Sequence, residues 1–147
     1  MRLLWAVDHG LRSLSKHMQA DIGLSGPQRL VLRMLGRLPP VMPSMLAELL
    51  HLDRSTVTGV LERLAHQQLI VRLSHPEDGR SILVALSARG KLLDRETPGT
   101  VEACVRRALA SLPTAKVDAA GQVLEAVARE LAAEEQRMTK ARVRRRR

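Results

Sequence analysis

A chain of 147 residues with one tryptophan, no tyrosine and no phenylalanine has almost no aromatic surface for stacking unpaired bases, which argues against the usual single-strand and RNA-binding modules. Its formal net charge of +9 makes a polyanion the expected partner, and its length suits one domain with one modest core. No apolar run is long enough to span a bilayer, no signal-peptide pattern opens the chain, and the single cysteine, Cys104, has no thiol partner, so the expectation is a cytoplasmic protein without membrane contact.

Along the chain, Leu4, Val7, Leu11, Leu14, Met18 and Ile22 recur every three or four residues and predict an amphipathic first helix. A break at Gly23 to Pro27 precedes a second helix through Leu30, Val31, Met34 and Leu35, which ends near Gly36 ahead of a Pro39-Pro40 turn. A short third helix passes through Leu46, Ala47, Leu49 and Leu50. Close behind it a fourth helix opens at Asp53, whose carboxylate is placed to accept from the first-turn amides.

In LDRSTVTGVLERL, residues 52 to 64, Val57, Val60, Leu61 and Leu64 share one face, while Ser55, Thr58, Gly59, Glu62 and, just beyond, His66 lie broadly opposite. Ser, Thr and Gly lower helix propensity, so an exposed face built from them calls for another reason. Two short helices joined by a tight turn, the second showing small polar residues near its start, form a helix-turn-helix. Small side chains there let the backbone sit deep in a major groove. The same pattern also describes a helical hairpin with an ordinary solvated face, and the next residues separate the two. The β-prone runs Ile70 to Leu73 and Ser81 to Leu86 flank the turn-forming SHPEDGR, giving a hairpin where a wing belongs. Arg80, near its tip, is placed for a narrow minor groove or for a surface salt bridge to Asp78 or Glu77, and the two roles can coexist, since such a bridge would hold the shape of the loop.

DRSTVT followed by LERL, and then LIVRLSHPEDGRSILVALSARG, resembles the multiple antibiotic resistance regulator (MarR) family of winged-helix transcription factors, over roughly Leu3 to Leu93. Asp78-Gly79-Arg80 matches the family's D-x-R, and SARG at 87 to 90 resembles the start of its long dimerisation helix. The resemblance implies that Arg54, Ser55, Thr56 and Thr58 meet bases or nearby phosphates, with Arg63 and Arg72 supporting and Asp78 and Arg80 in the wing. Two positions depart from it. Gly59 stands where family members often carry a basic residue, which removes one contact from the DNA-facing surface. His51 stands where the turn often carries glycine, so the backbone there is either left-handed at some cost in strain or follows a different turn.

Val101, Val105, Ala108 and Leu112, then Val117, Ala120, Leu124, Val127 and Leu131, continue the helical spacing over two C-terminal helices. Together with the first helix they offer stripes for a homodimer or for an intrachain three-helix bundle; the resemblance implies the homodimer. Pro98-Gly99 interrupts what is usually one long helix in the family and predicts a kink or break between about Glu96 and Thr100. The chain ends in KARVRRRR. This segment holds six of the 24 basic residues, and without them the surplus over 15 acidic residues falls to +3. It is read as a solvated extension with sequence-independent phosphate affinity.

His9, His17, His51, His66 and His75 are scattered, with no i, i+4 pair for a metal, and there is neither a nucleophile elbow nor a phosphate-cradling glycine loop. Neither enzyme activity nor a cofactor or metal is expected. Cys104 reads as a small hydrophobe on a dimerisation helix, or as a redox switch favoured by nearby Arg106 and Arg107. Peroxide-sensing members of the family carry their cysteine near the N-terminus, where this sequence has none.

The expected protein is mainly α with a small β-hairpin wing, a single domain over 1–147. A winged helix-turn-helix lobe spans 24–87, dimerisation helices span 1–22 and 88–136, and a basic tail spans 137–147. Its expected role is a homodimer on pseudo-palindromic double-stranded DNA that represses transcription. The resemblance further implies a small phenolic or lipophilic effector in the crevice between the DNA-binding lobe and the dimer helices, with Trp5 and His9 as candidate lining residues, although Trp5 reads first as simple packing at the helix start. The alternatives are a sequence-indifferent architectural DNA-binding protein and a helical module whose winged helix docks protein.

Overall fold

The computed structural model describes residues 1–95 and 97–145, the side chains only through residue 142. The chain divides into two compact units, Met1–Arg106 and Arg107–Arg147. The first contains helices α1 (Arg2–Ile22), α2 (Gly26–Leu35), α3 (Pro43–Leu49) and α4 (Arg54–His66), strands β1 (Ile70–Ser74) and β2 (Ile82–Leu86), helix α5 (Ala88–Leu93) and the start of α6 (Val101–Ala110). The second holds the end of α6 and the long α7 (Thr114–Arg145). The fold is thus mainly helical, with one two-stranded antiparallel hairpin.

Local chemistry places the helix boundaries. α1 stops at Gly23, whose left-handed φ of 70° carries no Cβ penalty. Ser25 and Gln28 then form a capping box at the start of α2, Pro27 pre-sets its first turn, and the Gly26 amide donates to Ser15 Oγ at 2.7 Å, tying α2 to α1. Pro43 opens α3 in the same way. In the turn between α3 and α4, His51 takes a positive φ of 50°, so the left-handed alternative is the one adopted. Histidine is among the non-glycine residues that enter this region more readily, and an exposed ring meets no obstruction there.

Leu24, Val31, Leu32, Leu35, Leu46, Val57, Val60, Leu64, Leu69 and Val84 are all buried in one cluster that α2, α3, α4 and the hairpin share. Pairing runs from Ile70 opposite Leu86 to Ser74 opposite Ile82, which turns Ile70, Val84 and Leu86 inward. A further bridge joins Val41 to Val84 through both backbone hydrogen bonds, at 3.1 and 2.9 Å. The bridge fastens the hairpin to the segment before α3.

Two sequence expectations need correction, and a third, the break near Pro98-Gly99, is met by a wider interruption than expected. Asp53 does occupy the N-cap of α4 with extended backbone, but its carboxylate makes no capping hydrogen bond; the ladder begins from its carbonyl, which accepts from the Val57 amide at 3.0 Å. The helix after the wing ends earlier than Pro98-Gly99 would require, at Leu93, with Asp94 as its C-cap. The carbonyls of Leu93, Asp94 and Arg95 accept from Arg29 and Arg33 of α2 instead of continuing a helical ladder. Of the region expected to break, Glu96 lies outside the described residues, while Gly99 has a φ of 81° and α6 starts two residues later. Finally, α7 continues helically through Arg145, into residues read as an extension, with Arg137 paired to Glu134 at 3.0 Å. The side chains of residues 143–147, which include Arg144 to Arg147 of the basic run, lie outside the described part.

Gly90 marks a tight backbone-to-backbone joint in the lobe. A Cβ there would strike the carbonyl oxygen of Leu69, the same oxygen that accepts from the Ser87 amide at 3.0 Å. Backbone cannot yield as a flexible side chain can, so Gly90→Ala should cost roughly 1–3 kcal/mol, the range for overpacking. Urea unfolding should show a lower midpoint with an unchanged slope; an unaltered midpoint would mean that α5 shifts freely.

Candidate nucleic-acid interface

α4 is held from one side only. Val57, Val60, Leu61 and Leu64 are buried, whereas Arg54, Ser55, Thr56, Thr58, Glu62, Arg63 and His66 are exposed and Gly59 is half-buried. Burial of the apolar stripe fixes the rotation of the helix about its axis. The face left outside is small and polar toward the N-terminus.

Thr58 Oγ1 donates to the Arg54 carbonyl at 2.8 Å, so its hydroxyl proton is already used. It presents acceptor lone pairs and a methyl group to a partner, a combination suited to a base amino group or a thymine methyl. Gly59 is not imposed by crowding: a Cβ built there meets only Arg63 Nη2, at 3.9 Å. The backbone is bare on this face although a side chain would fit.

The wing turn is organised by one carboxylate. Asp78 Oδ2 accepts from the Ser81 hydroxyl at 2.6 Å, and Oδ1 accepts from the Arg80 backbone amide at 3.0 Å. The Ser81 amide returns to the Asp78 carbonyl at 2.9 Å. These bonds, the Ser81 hydroxyl first and the Arg80 amide second, hold the Asp78 carboxyl below its ordinary value of 3.8. A depressed carboxylate contributes order above its unfolded pKa and loses it as pH falls through the folded one. The two hydrogen bonds to the Asp78 carboxylate therefore persist through the neutral range.

The alternative role for Arg80, an ion pair with Asp78 or Glu77, is not formed. Asp78 acts on Arg80 through the backbone, and among the described residues the exposed Arg80 guanidinium has no carboxylate partner. Arg72 is exposed on β1, opposite Val84. Arg54, Ser55, Thr56, Thr58, Gly59 and Arg63 thus share the outward side of α4, Asp78 and Arg80 share the wing turn, and Arg72 stands on the strand between.

Trp5 and His9 both lie on α1 and are exposed, Trp5 at 67%. Within one chain neither is enclosed, and Trp5 does not pack at the helix start. Cys104 on α6 is likewise exposed in the single chain.

The lobe has known counterparts. The family model described as MarR matches residues 24–82. An organic hydroperoxide resistance transcriptional regulator of Bacillus subtilis is 32% identical over 102 residues, covering 67% of this chain and 69% of that protein. The chain belongs to the MarR family. Members matched here are named as transcriptional regulators, and the protein is a DNA-binding regulator, not an enzyme. Among solved structures, the PcaV transcriptional regulator of Streptomyces coelicolor, crystallised with its natural ligand, has 25% identity and a TM-score of 0.69, with 86% of this chain and 89% of that one covered. The Staphylococcus aureus MepR–DNA complex, at 17% identity, shares the fold with a TM-score of 0.72 over 88% and 96% of the two chains. Among the described residues of this MarR-family chain, no helix is long and apolar enough to cross a membrane.

Sequence reading missed Arg29, Arg33, Asp94 and Glu102. Arg29 is only 2% exposed and contacts Glu102, Leu93 and Arg95, residues 64 to 73 positions away. No local pattern signals such a partner.

If the bare face of α4 exists for close approach, stability and binding should move oppositely at Gly59. Gly59→Ala should raise stability by about 0.5–1 kcal/mol, since glycine in a helix interior is costly and no contact opposes a methyl. The same variant should bind duplex DNA several-fold more weakly. Thermal unfolding and fluorescence anisotropy would read the two, and a gain in stability with unchanged binding would remove Gly59 from the interface.

Proposed function

We propose that the chain is a cytoplasmic homodimer that reads a pseudo-palindromic duplex operator, represses transcription when bound, and is released by a small phenolic or lipophilic molecule. The observation that carries this reading is the pairing of two exposed devices on one rigid lobe. One is a helix face of small polar residues, flanked by Arg54 and Arg63. The other is a wing whose turn is locked by Asp78 and whose Arg80 guanidinium has no carboxylate partner among the described residues. The first suits a major groove and the second a minor groove, where a narrow A/T-rich tract attracts an arginine.

Unsatisfied apolar surface supports the dimer. Leu3, Trp5 and Val7 on α1, and Val123, Leu124 and Leu131 on α7, are each more than half exposed in the single chain. A helix that is apolar on several sides belongs inside an assembly. Domain order follows the same reading: a lobe at 24–87 between terminal helices that pair, with the basic C-terminal residues adding phosphate affinity. The effector reading draws on the likeness to the ligand-bound PcaV regulator, with Trp5 and His9 facing the crevice that the second chain would complete.

The test compares binding to the region upstream of the protein's own gene with binding to random duplex at two salt concentrations. Specific binding should exceed random binding by about a thousand-fold or more, and light scattering should give about twice 16.3 kDa. Equal affinity for both duplexes would favour an architectural protein held by charge. Arg80→Ala should weaken operator binding about ten-fold or more with the fold retained, as for loss of a specific contact. Removing residues 140–147 should weaken all duplexes alike and flatten the salt dependence. Unimpaired binding by folded Arg80→Ala would eliminate the wing as a DNA contact.

A further inference from the structure

The lobe must be held at a defined angle to α6 if two lobes are to meet two half-sites, yet the connection between them is not helical. Between the end of α5 at Leu93 and the start of α6 at Val101 the chain includes Pro98 and a positive-φ Gly99. Such a segment has no continuous helical ladder to fix the angle between α5 and α6. Side chains from α2 restrain it.

Arg29 is buried, and its guanidinium meets both sides of the break. Nε donates to Glu102 Oε1 at 2.7 Å, and Nη2 approaches the same oxygen at 2.6 Å. Nη2 also donates to the Arg95 carbonyl at 2.7 Å, and Nη1 donates to the Leu93 carbonyl. Glu102 lies in the first turn of α6, where a carboxylate also complements the helix dipole. One turn along α2, Arg33 Nη1 bonds to the Asp94 carbonyl and to its Oδ1 at 2.9 Å. Gly36 admits this packing, because a Cβ there would collide with the Asp94 carboxylate. Thr100, also buried, takes the Ala103 amide on its hydroxyl and steadies the same first turn.

We infer that Arg29 and Glu102 are positioning residues for operator recognition: the ion pair between the buried Arg29 and the half-buried Glu102 fixes the start of α6 against α2, and so sets the separation at which two heads are presented to DNA. α2 packs on α4 within the same core, so the pair is one solid link from the recognition helix to the first turn of α6. Neither residue lies on the DNA-facing surface. The inference rests on the reading of the chain as a two-headed duplex reader.

The experiment uses the full chain and three kinds of duplex: the footprinted operator, a single half-site, and operators with one or two base pairs inserted or removed between half-sites. Glu102→Gln retains shape and an acceptor oxygen while removing the charge that holds Arg29. It should bind the half-site within two-fold of the parent, lose about ten-fold on the intact operator, and show a flattened preference across the spacing series. Asp94→Asn should move in the same direction by less, and serves in place of Glu102→Gln if that variant does not fold by circular dichroism. A folded variant with the parent's spacing profile overturns the inference. Equal losses on half-site and operator also overturn it, since they report damage within the lobe. Indifference to spacing in the parent itself would instead refute the two-headed reading beneath it.

Discussion

The function of this lobe depends on how α4 is anchored. Val57, Val60, Leu61 and Leu64 leave water together, and each such side chain contributes on the order of 1.5–3 kcal/mol when fully buried. Their partners on α2 and α3 define a single rotation of α4 that satisfies all four. Once that rotation is fixed, Arg54, Ser55, Thr58 and Arg63 have no freedom to face elsewhere. The surface proposed to meet DNA is the complement of the core stripe.

The wing depends on a different kind of restraint. Its outer turn has no core beneath it, so hydrogen bonds replace packing: Asp78 accepts from both the Arg80 amide and the Ser81 hydroxyl. Using the arginine's backbone and not its guanidinium leaves the cation available to a partner. An exposed Arg–Asp ion pair would add little stability and would compete with phosphate or groove binding. In the proposed complex the Asp78 carboxylate would repel DNA, but its charge is partly engaged by local donors that fix the shape of the loop.

Much of this was legible in the sequence because it is local and periodic. The three-four spacing of α1, α2 and α4, the SHPEDGR turn between β-prone runs, and the family's D-x-R each carry their information within a few residues. The family's glycine at the position of His51 marked the turn but left its backbone open between two alternatives, of which the left-handed one is adopted. What escaped was non-local or depended on alternatives of nearly equal cost. The Asp53 carboxylate was a plausible cap, yet the N-cap backbone alone starts the helix. The Val41–Val84 bridge is one residue long and has no period. Arg29 and Glu102 are 73 positions apart, and a basic residue on α2 reads as solvated until the fold brings its carboxylate to it. Cys104 and Trp5 show the converse: both suit a core by residue type, but one chain does not enclose them.

The central claim is geometric: α4 enters a major groove and the wing reaches the adjoining minor groove, once per half-site. Because the chain has a single cysteine, Cys104→Ser provides a background in which Ser55→Cys or Arg80→Cys can carry an iron-chelate cleavage reagent. On the footprinted operator, the Ser55 position should give two cut clusters in the pattern of major-groove attack, centred about one helical turn or a multiple of it apart. The position-80 reagent should cut in the flanking minor grooves. Diffuse cleavage along the duplex from both positions, or the two patterns exchanged, would contradict the account.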